Sequence, residues 1–189
     1  KAQIEYVINR SKSNLTNVYP IGTLSYNQEG KDLSEMYDMK LAGAVAFGDY
    51  KNPIKDAGLI LRALQYTINI DSFIITHCDD KTISHGGQMN EGETSTMLGL
   101  KGIPALAEEI MLQRNISVLE YAGGKMHIPT ISTKGSVELI KKAKANGLHI
   151  TCGVAAHILL LDDTVLSDFD TCYKVNPPLR NKTVVEALR

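Results

Sequence analysis

The residues with the most chemical promise in this chain stand at the ends of short apolar runs. Phe73-Ile74-Ile75-Thr76 favours a β-strand and delivers His77-Cys78-Asp79-Asp80 at its carboxyl end. In parallel α/β proteins that end of a strand is where reactive groups are placed. An imidazole beside carboxylates there suits a divalent metal or a proton transfer. It equally suits a core role, held by backbone groups, and the strand alone does not separate the two. Other strand ends add Gly22-Thr23, Asp49-Tyr50, Thr130 to Thr133 and Gly153 to His157, and Asn176-Pro177-Pro178-Leu179-Arg180 follows as a rigid extended segment. Together they read as a polar cup with one good metal ligand, His77. Asp49 and His157 are weaker candidates.

The elements that must carry these groups alternate along the whole chain. Helices are expected at 2–12, with Ile4, Val7 and Ile8 on one face, and near 33–42, stopped by Gly43. Further helices are expected at 56–69, with Ala57, Leu61, Leu64 and Ile68 at helical spacing, and from Pro104 to about Ala122, ended by Gly123-Gly124. Another, before Gly147, turns Val137, Ile140 and Ala143 inward and Lys141, Lys142 and Lys144 outward, and a last one begins after about 182. Strands are expected at 17–22, 44–48, 73–76, 126–131 and 149–154. The run Ala44 to Gly48 is nearly all apolar, as a strand buried on both faces should be. Between Asp79 and Ile103 lies a long Gly-rich loop, of a length uncommon without a function.

This rhythm predicts an α/β fold with a parallel sheet, either an open doubly wound sheet or part of a (β/α)8 barrel. No GxGxxG follows a strand and there is no P-loop, so no nucleotide site is indicated. A whole barrel takes ~250 residues, so a chain of 189 would supply part of one. Both ends read as cut within helical sequence.

Composition narrows the classes. The chain is 43% hydrophobic and 22% charged, with 20 basic and 21 acidic residues. That balance argues against a nucleic-acid or anionic-membrane surface. The apolar runs are too short to span a bilayer, and no signal peptide is visible. Cys78, Cys152 and Cys172 are odd in number and unevenly spaced, which fits reduced thiols in a cytoplasmic protein. Cys78 and Cys152 read as small buried hydrophobes. His127 reads as structural, His85 and His149 as loop or surface residues, and Tyr66 and Tyr121 as helix packing.

Six motifs then occur in order: Ala44-Val45-Ala46-Phe47-Gly48-Asp49, His77-Cys78-Asp79-Asp80, Met89-Asn90-Glu91-Gly92-Glu93, Gly99-Leu100-Lys101-Gly102-Ile103-Pro104, Ser132-Thr133-Lys134-Gly135-Ser136 and Lys174-Val175-Asn176-Pro177-Pro178-Leu179-Arg180. In these the chain resembles dihydroorotases of the amidohydrolase superfamily, of the type found in multifunctional or aspartate-transcarbamoylase-associated complexes. The likeness runs over essentially all 189 residues. It implies a partial (β/α)8 TIM barrel of the metal-dependent hydrolase type, with residues 1–189 as the central part of one barrel domain and the first and last barrel strands outside it. It also implies hydrolysis of the cyclic amide of dihydroorotate, or its closure from carbamoyl-aspartate, in cytoplasmic pyrimidine biosynthesis. The family's two zinc ions polarise the amide and generate hydroxide from water near neutral pH.

Carried over residue by residue, the resemblance is partial. His77 matches a metal-ligand histidine, and Asn176 matches an asparagine that helps hold the substrate. The bridging aspartate position falls on Tyr50, with Asp49 beside it as a substitute ligand. A second histidine ligand position falls on Thr130 in His127-Ile128-Pro129-Thr130. The family's histidine pair after Thr-Pro reads Ala155-Ala156-His157-Ile158 here. The first-strand His-x-His would precede Lys1, and the proton-shuttling aspartate would follow Arg189, so no catalytic residue is expected within the chain. Threonine ligates divalent metals poorly, and a neutral tyrosine does not replace a bridging carboxylate. The resemblance therefore implies weak, partial or absent zinc. It leaves two functions open: a dihydroorotase of little activity, or a non-catalytic homologue acting as a scaffold for aspartate transcarbamoylase. In either case a homo-oligomer is expected. A hydantoinase-like amidohydrolase is a third reading, disfavoured by the Asn176–Arg180 motif.

Overall fold

The computed structural model describes residues 1–189. The chain forms two compact units. One comprises Lys1–His77, Ser117–His127 and Leu148–Ile150; the other comprises Cys78–Ile116, Ile128–Gly147 and Thr151–Arg189.

In the first unit, helix α1 (Ala2–Ser11) leads to strand β1 (Ile21–Gly22), followed by α2 (Met36–Leu41), β2 (Ala46–Gly48), α3 (Ala57–Asn69) and β3 (Ile74–Ile75). Strands β6 (Met126–Ile128) and β7 (Ile150–Cys152) complete a five-stranded sheet of order β1-β2-β3-β6-β7. β2 pairs parallel with β1 and β3, and β3 pairs parallel with β6. Parallel pairing sends the carboxyl ends of β1, β2 and β3 to one edge. The strands are shorter than the sequence suggests. Proline explains two of the ends: Pro20 and Pro129 have no N–H to give to a ladder.

Two glycines are required by space and conformation. Gly48 lies against the next strand, where a Cβ would come within 2.5 Å of the Ile75 carbonyl oxygen. Gly43, at φ +109°, ends the α2 segment in a conformation that side chains disfavour. Asp56 caps α3 by accepting from the Gly58 N–H at 2.7 Å. The face α3 buries is Leu59, Ile60, Ala63, Leu64 and Thr67, rotated from the expected Ala57, Leu61, Leu64, Ile68 stripe. The helix is apolar on more than one side, so spacing alone did not choose its core face. The core of this unit gathers Leu24, Met36, Phe47, Leu59, Ile60, Leu64, Ile74 and Met126, all fully or almost fully buried.

In the second unit, the stretch expected as a long loop is folded. It contains α4 (Lys81–Ser84), β4 (Met89–Asn90), α5 (Glu93–Leu98) and β5 (Gly102–Ile103), with β4 and β5 paired parallel. Elements of two to six residues are too short to show a period in the sequence, where the glycines around them stand out instead. α6 (Leu106–Ala122) begins two residues after Pro104, whose carbonyl accepts from the Ala107 N–H at 3.1 Å. α7 (Lys134–Ala145) is capped by Thr133, which accepts from the Ser136 N–H at 3.0 Å. It buries Ile140 and Ala143 and exposes Lys141, Lys142 and Lys144, as expected. α8 (Lys182–Leu188) closes the chain. No helix is long and apolar enough to cross a membrane.

Candidate functional site

In the first unit, Asp49 follows β2 and is 3% exposed. Its Oδ1 accepts from the Leu24 N–H at 2.8 Å and the Ser25 N–H at 3.0 Å, and its Oδ2 accepts from the Ser25 hydroxyl. Ser25 Oγ in turn accepts from the Gly30 N–H at 2.8 Å. The carboxylate therefore clamps the turn that follows β1, and both of its oxygens are engaged. Tyr50, which the resemblance sets at the family's bridging-ligand position, sits at φ 54° and is 77% exposed. β2 ends at Gly48, and the left-handed turn at Tyr50 is what separates the exposed phenol from the buried carboxylate.

His77 follows β3 and is 4% exposed. The Thr76 N–H just before it donates to the His127 carbonyl at 3.1 Å. His127 is half-buried, and burial lowers its pKa. Tyr121 is 81% exposed and Tyr66 is also exposed, which corrects the expectation that both pack. Each sits on the outward side of its helix.

In the second unit, Thr130 and Asn176 lie on loops and His157 in a short helical turn. Thr130 is half-buried between Pro129 and Ile131. Asn176 is exposed and precedes a cis peptide to Pro177. His157 is exposed within a short helical turn. Asp80 serves as a helix cap: its Oδ1 accepts from the Thr82 N–H at 2.9 Å and the Thr82 hydroxyl at 2.6 Å, and these bonds hold its pKa down. Asp79 is ion-paired with Lys81. Cys78 is buried as expected, with burial as the main cause raising its pKa to about 12. Cys152 is half-buried and Cys172 exposed.

The dominant polar structure of this unit is a buried network that sequence reasoning missed. Arg180 is 2% exposed. Its Nη1 donates to the Ile103 carbonyl at 2.8 Å and to Asn90 Oδ1 at 3.0 Å, and its Nε donates to Ser132 Oγ at 3.2 Å. Glu108 accepts from the Ser132 N–H at 2.9 Å and from the hydroxyls of Ser132 and Ser136 at 2.5 and 2.7 Å. The Arg180 and Glu108 charges approach to 4.0 Å. Asn90 Nδ2 donates to Asp163 Oδ2 at 2.8 Å. Burial is the largest influence on Arg180 and lowers its pKa, while Glu108 leads the carboxylates that oppose this.

Four of the six motifs meet in this network through Asn90, Ile103, Ser132 and Arg180. These residues join four separate stretches of the chain through buried hydrogen bonds. Glu108 belongs to no motif. Its signal was positional, since it shares the buried face of α6 with Ala107, Met111, Leu112, Asn115 and Leu119.

The chemistry of the donor set can be tested against a two-metal centre. Such a site needs several imidazole or carboxylate ligands converging on each ion. No three His, Cys, Asp or Glu side chains of this chain come together in that way. Asp49 is engaged with Leu24 and Ser25, and Tyr50 and Thr130 offer neutral hydroxyls. The residues present do not by themselves fit a binuclear centre.

The sequence profile described as Dihydro-orotase-like matches residues 1–136. The chain is 48% identical over 189 residues to a dihydroorotase of Acetivibrio thermocellus, covering 100% of this chain and 44% of that protein. It is 52% identical over 173 residues to a dihydroorotase of Pelotomaculum thermopropionicum, covering 92% of this chain and 40% of that protein. The chain thus spans less than half the length of these curated relatives. Among solved structures, L-hydantoinase from Arthrobacter aurescens superposes with a TM-score of 0.76 at 19% identity, over 98% of this chain and 43% of that one. A D-hydantoinase superposes at 0.73 and 19% identity, over 99% of this chain and 43% of that one. At that identity the likeness speaks for fold alone, and the fold is the expected one: α/β with a parallel sheet, part of a (β/α)8 barrel.

Proposed function

Because this chain belongs to the dihydroorotase-like family of pyrimidine-metabolism hydrolases, we propose that it is the central part of a dihydroorotase-type barrel whose share of the zinc site is reduced to His77. On this reading the protein holds zinc weakly or partially. It turns over dihydroorotate slowly or not at all.

The observation that carries the proposal is the state of the β2 end. Its one carboxylate, Asp49, binds the Leu24 and Ser25 backbone, while the residue at the ligand position, Tyr50, faces solvent. A hydroxide-generating metal pair needs a bridging carboxylate that this strand end does not present. Thr130 weakens a second ligand position. Asn176 remains as a substrate-holding amide, exposed in a segment anchored by Arg180.

The same substitutions favour a second reading, a non-catalytic homologue acting as a scaffold for aspartate transcarbamoylase. Turnover of dihydroorotate by the full-length protein with added zinc, with and without aspartate transcarbamoylase, separates the two. Slow turnover that zinc enhances supports the degraded enzyme. Silence together with a stable complex and altered partner activity supports the scaffold. Fast turnover by the unmodified protein alone overturns both.

A further inference from the structure

In the first unit a cavity of about 480 Å³ opens between the start of α1, the turn that follows β1 and the start of α2. Its lining includes Lys1, Thr23, Tyr26, Gln28, Glu35 and Met39. That volume suits a small organic molecule. Two opposite charges border it. Lys1 and Glu35 both line the cavity, yet neither takes part in any ion pair of the chain. Nor does either side chain cap the helix it precedes, Lys1 before α1 and Glu35 before α2. An ammonium and a carboxylate thus stand on one cavity without meeting each other. A ligand that carries both charges complements both.

The wall beside them is built. Asn27 and Gln28 follow one another at φ 51° and 58°, a region that residues other than glycine enter only under strain. Such a conformation persists where its surroundings over-determine it, and here they do. The Tyr26 N–H donates to the Asp32 carbonyl at 2.9 Å, the Gln28 N–H to the Ser25 carbonyl at 3.2 Å and the Glu29 N–H to the Tyr26 carbonyl at 3.1 Å. Asn52 Nδ2 donates to Gln28 Oε1 at 3.4 Å. Asp49 holds Leu24 and Ser25 at the foot of the same turn, and Ser25 Oγ holds the Gly30 N–H. The Asp49 clamp therefore fixes the segment that carries Tyr26 to the cavity. Tyr26 is 66% exposed there, and Met39 on α2 is almost fully buried. An aromatic ring and a thioether together receive an apolar or aromatic group.

We propose that this cavity binds a small zwitterion, an α-amino acid with an uncharged apolar or aromatic side chain. Glu35 takes the ammonium, Lys1 takes the carboxylate, and Tyr26 with Met39 takes the side chain. The site uses neither His77 nor Asn176, so it stands or falls apart from the proposed function.

The test is calorimetric titration of the full-length protein with three related compounds. L-Phenylalanine carries both charges, phenethylamine lacks the carboxylate and hydrocinnamate lacks the ammonium. L-Phenylalanine should bind, and each of the other two at least about tenfold more weakly. Glu35→Gln should weaken L-phenylalanine by a similar factor while leaving hydrocinnamate no weaker, at an unchanged melting temperature. Glu35→Asp, which keeps the charge, should recover part of the loss. Lys1→Met should weaken L-phenylalanine while leaving phenethylamine no weaker. Equal binding of the three compounds overturns the site, as does unchanged L-phenylalanine binding in either Glu35→Gln or Lys1→Met. No binding of L-phenylalanine at millimolar concentration overturns it as well.

Discussion

Arg180 Nη1 donates to Asn90 Oδ1 at 3.0 Å, joining two motifs that lie ninety residues apart in the chain. Both side chains are buried, and Glu108 supplies the opposing charge. Removing one partner of a buried charge pair leaves the other uncompensated and costs about 3–5 kcal/mol. Arg180→Met should therefore destabilise the protein by about that amount in urea unfolding, while Arg180→Lys, which keeps the charge but loses the fork, should cost less. A double-mutant cycle with Glu108→Gln should show a coupling above about 0.5 kcal/mol.

Asp49 makes a separate prediction. Asp49→Ala would leave the Leu24 and Ser25 N–H groups without their acceptor, at a cost of about 1–3 kcal/mol for each buried donor. Asp49→Asn keeps one acceptor oxygen and should lose less. Denaturant unfolding of both variants measures this. Hydrogen exchange at Leu24 and Ser25 should accelerate in the alanine variant, and unchanged exchange would mean that the clamp is not what protects them.

The fold was legible where the sequence is periodic or punctuated. α7, with Thr133 before it and Gly147 after it, and the apolar β2 run could be read directly. What escaped were features with no local signature. β4 and β5 are too short for a period, and α3 is apolar on more than one side, so its buried face is chosen by what packs against it. The candidate site could be read only as residue types: His77, which the structure places just after β3, and Asn176, which it places on an exposed segment before Pro177. Asp49 could be read only as a carboxylate near a ligand position, because its partners Leu24 and Ser25 lie about 25 residues earlier. Glu108 was hidden among helical surface charges, although its place on the α6 stripe marked it as buried.

The cysteines predict an order of reactivity. Burial raises the Cys78 pKa to about 12, so in the folded protein it stays a neutral thiol at ordinary pH. Iodoacetamide at pH 8 should label exposed Cys172 first, Cys152 more slowly and Cys78 only after unfolding, as read by peptide mass spectrometry. The raised pKa also carries a sign. Its contribution to stability is complete below the unfolded value of 9.0 and is lost as pH rises from there towards about 12. Cys78→Ala should flatten that alkaline loss.

Restoring ligands tests the zinc argument from the other side. Tyr50→Asp with Thr130→His places a carboxylate and an imidazole where the resemblance sets the family's ligands. In the full-length protein the double variant should bind zinc at least about tenfold more tightly than the parent. Equilibrium dialysis reads this directly. Either single substitution should give a smaller gain, because each supplies one ligand of a converging set.

The most direct test of the central claim is the zinc content of the full-length protein, purified without chelator and measured by elemental analysis. With Asp49 engaged by Leu24 and Ser25, and with Tyr50 and Thr130 where the family resemblance sets ligands, it should hold less than about one zinc per protomer after exhaustive dialysis. Two zinc ions per protomer that survive dialysis would contradict the reading of a reduced site and return the protein to the company of ordinary two-metal dihydroorotases.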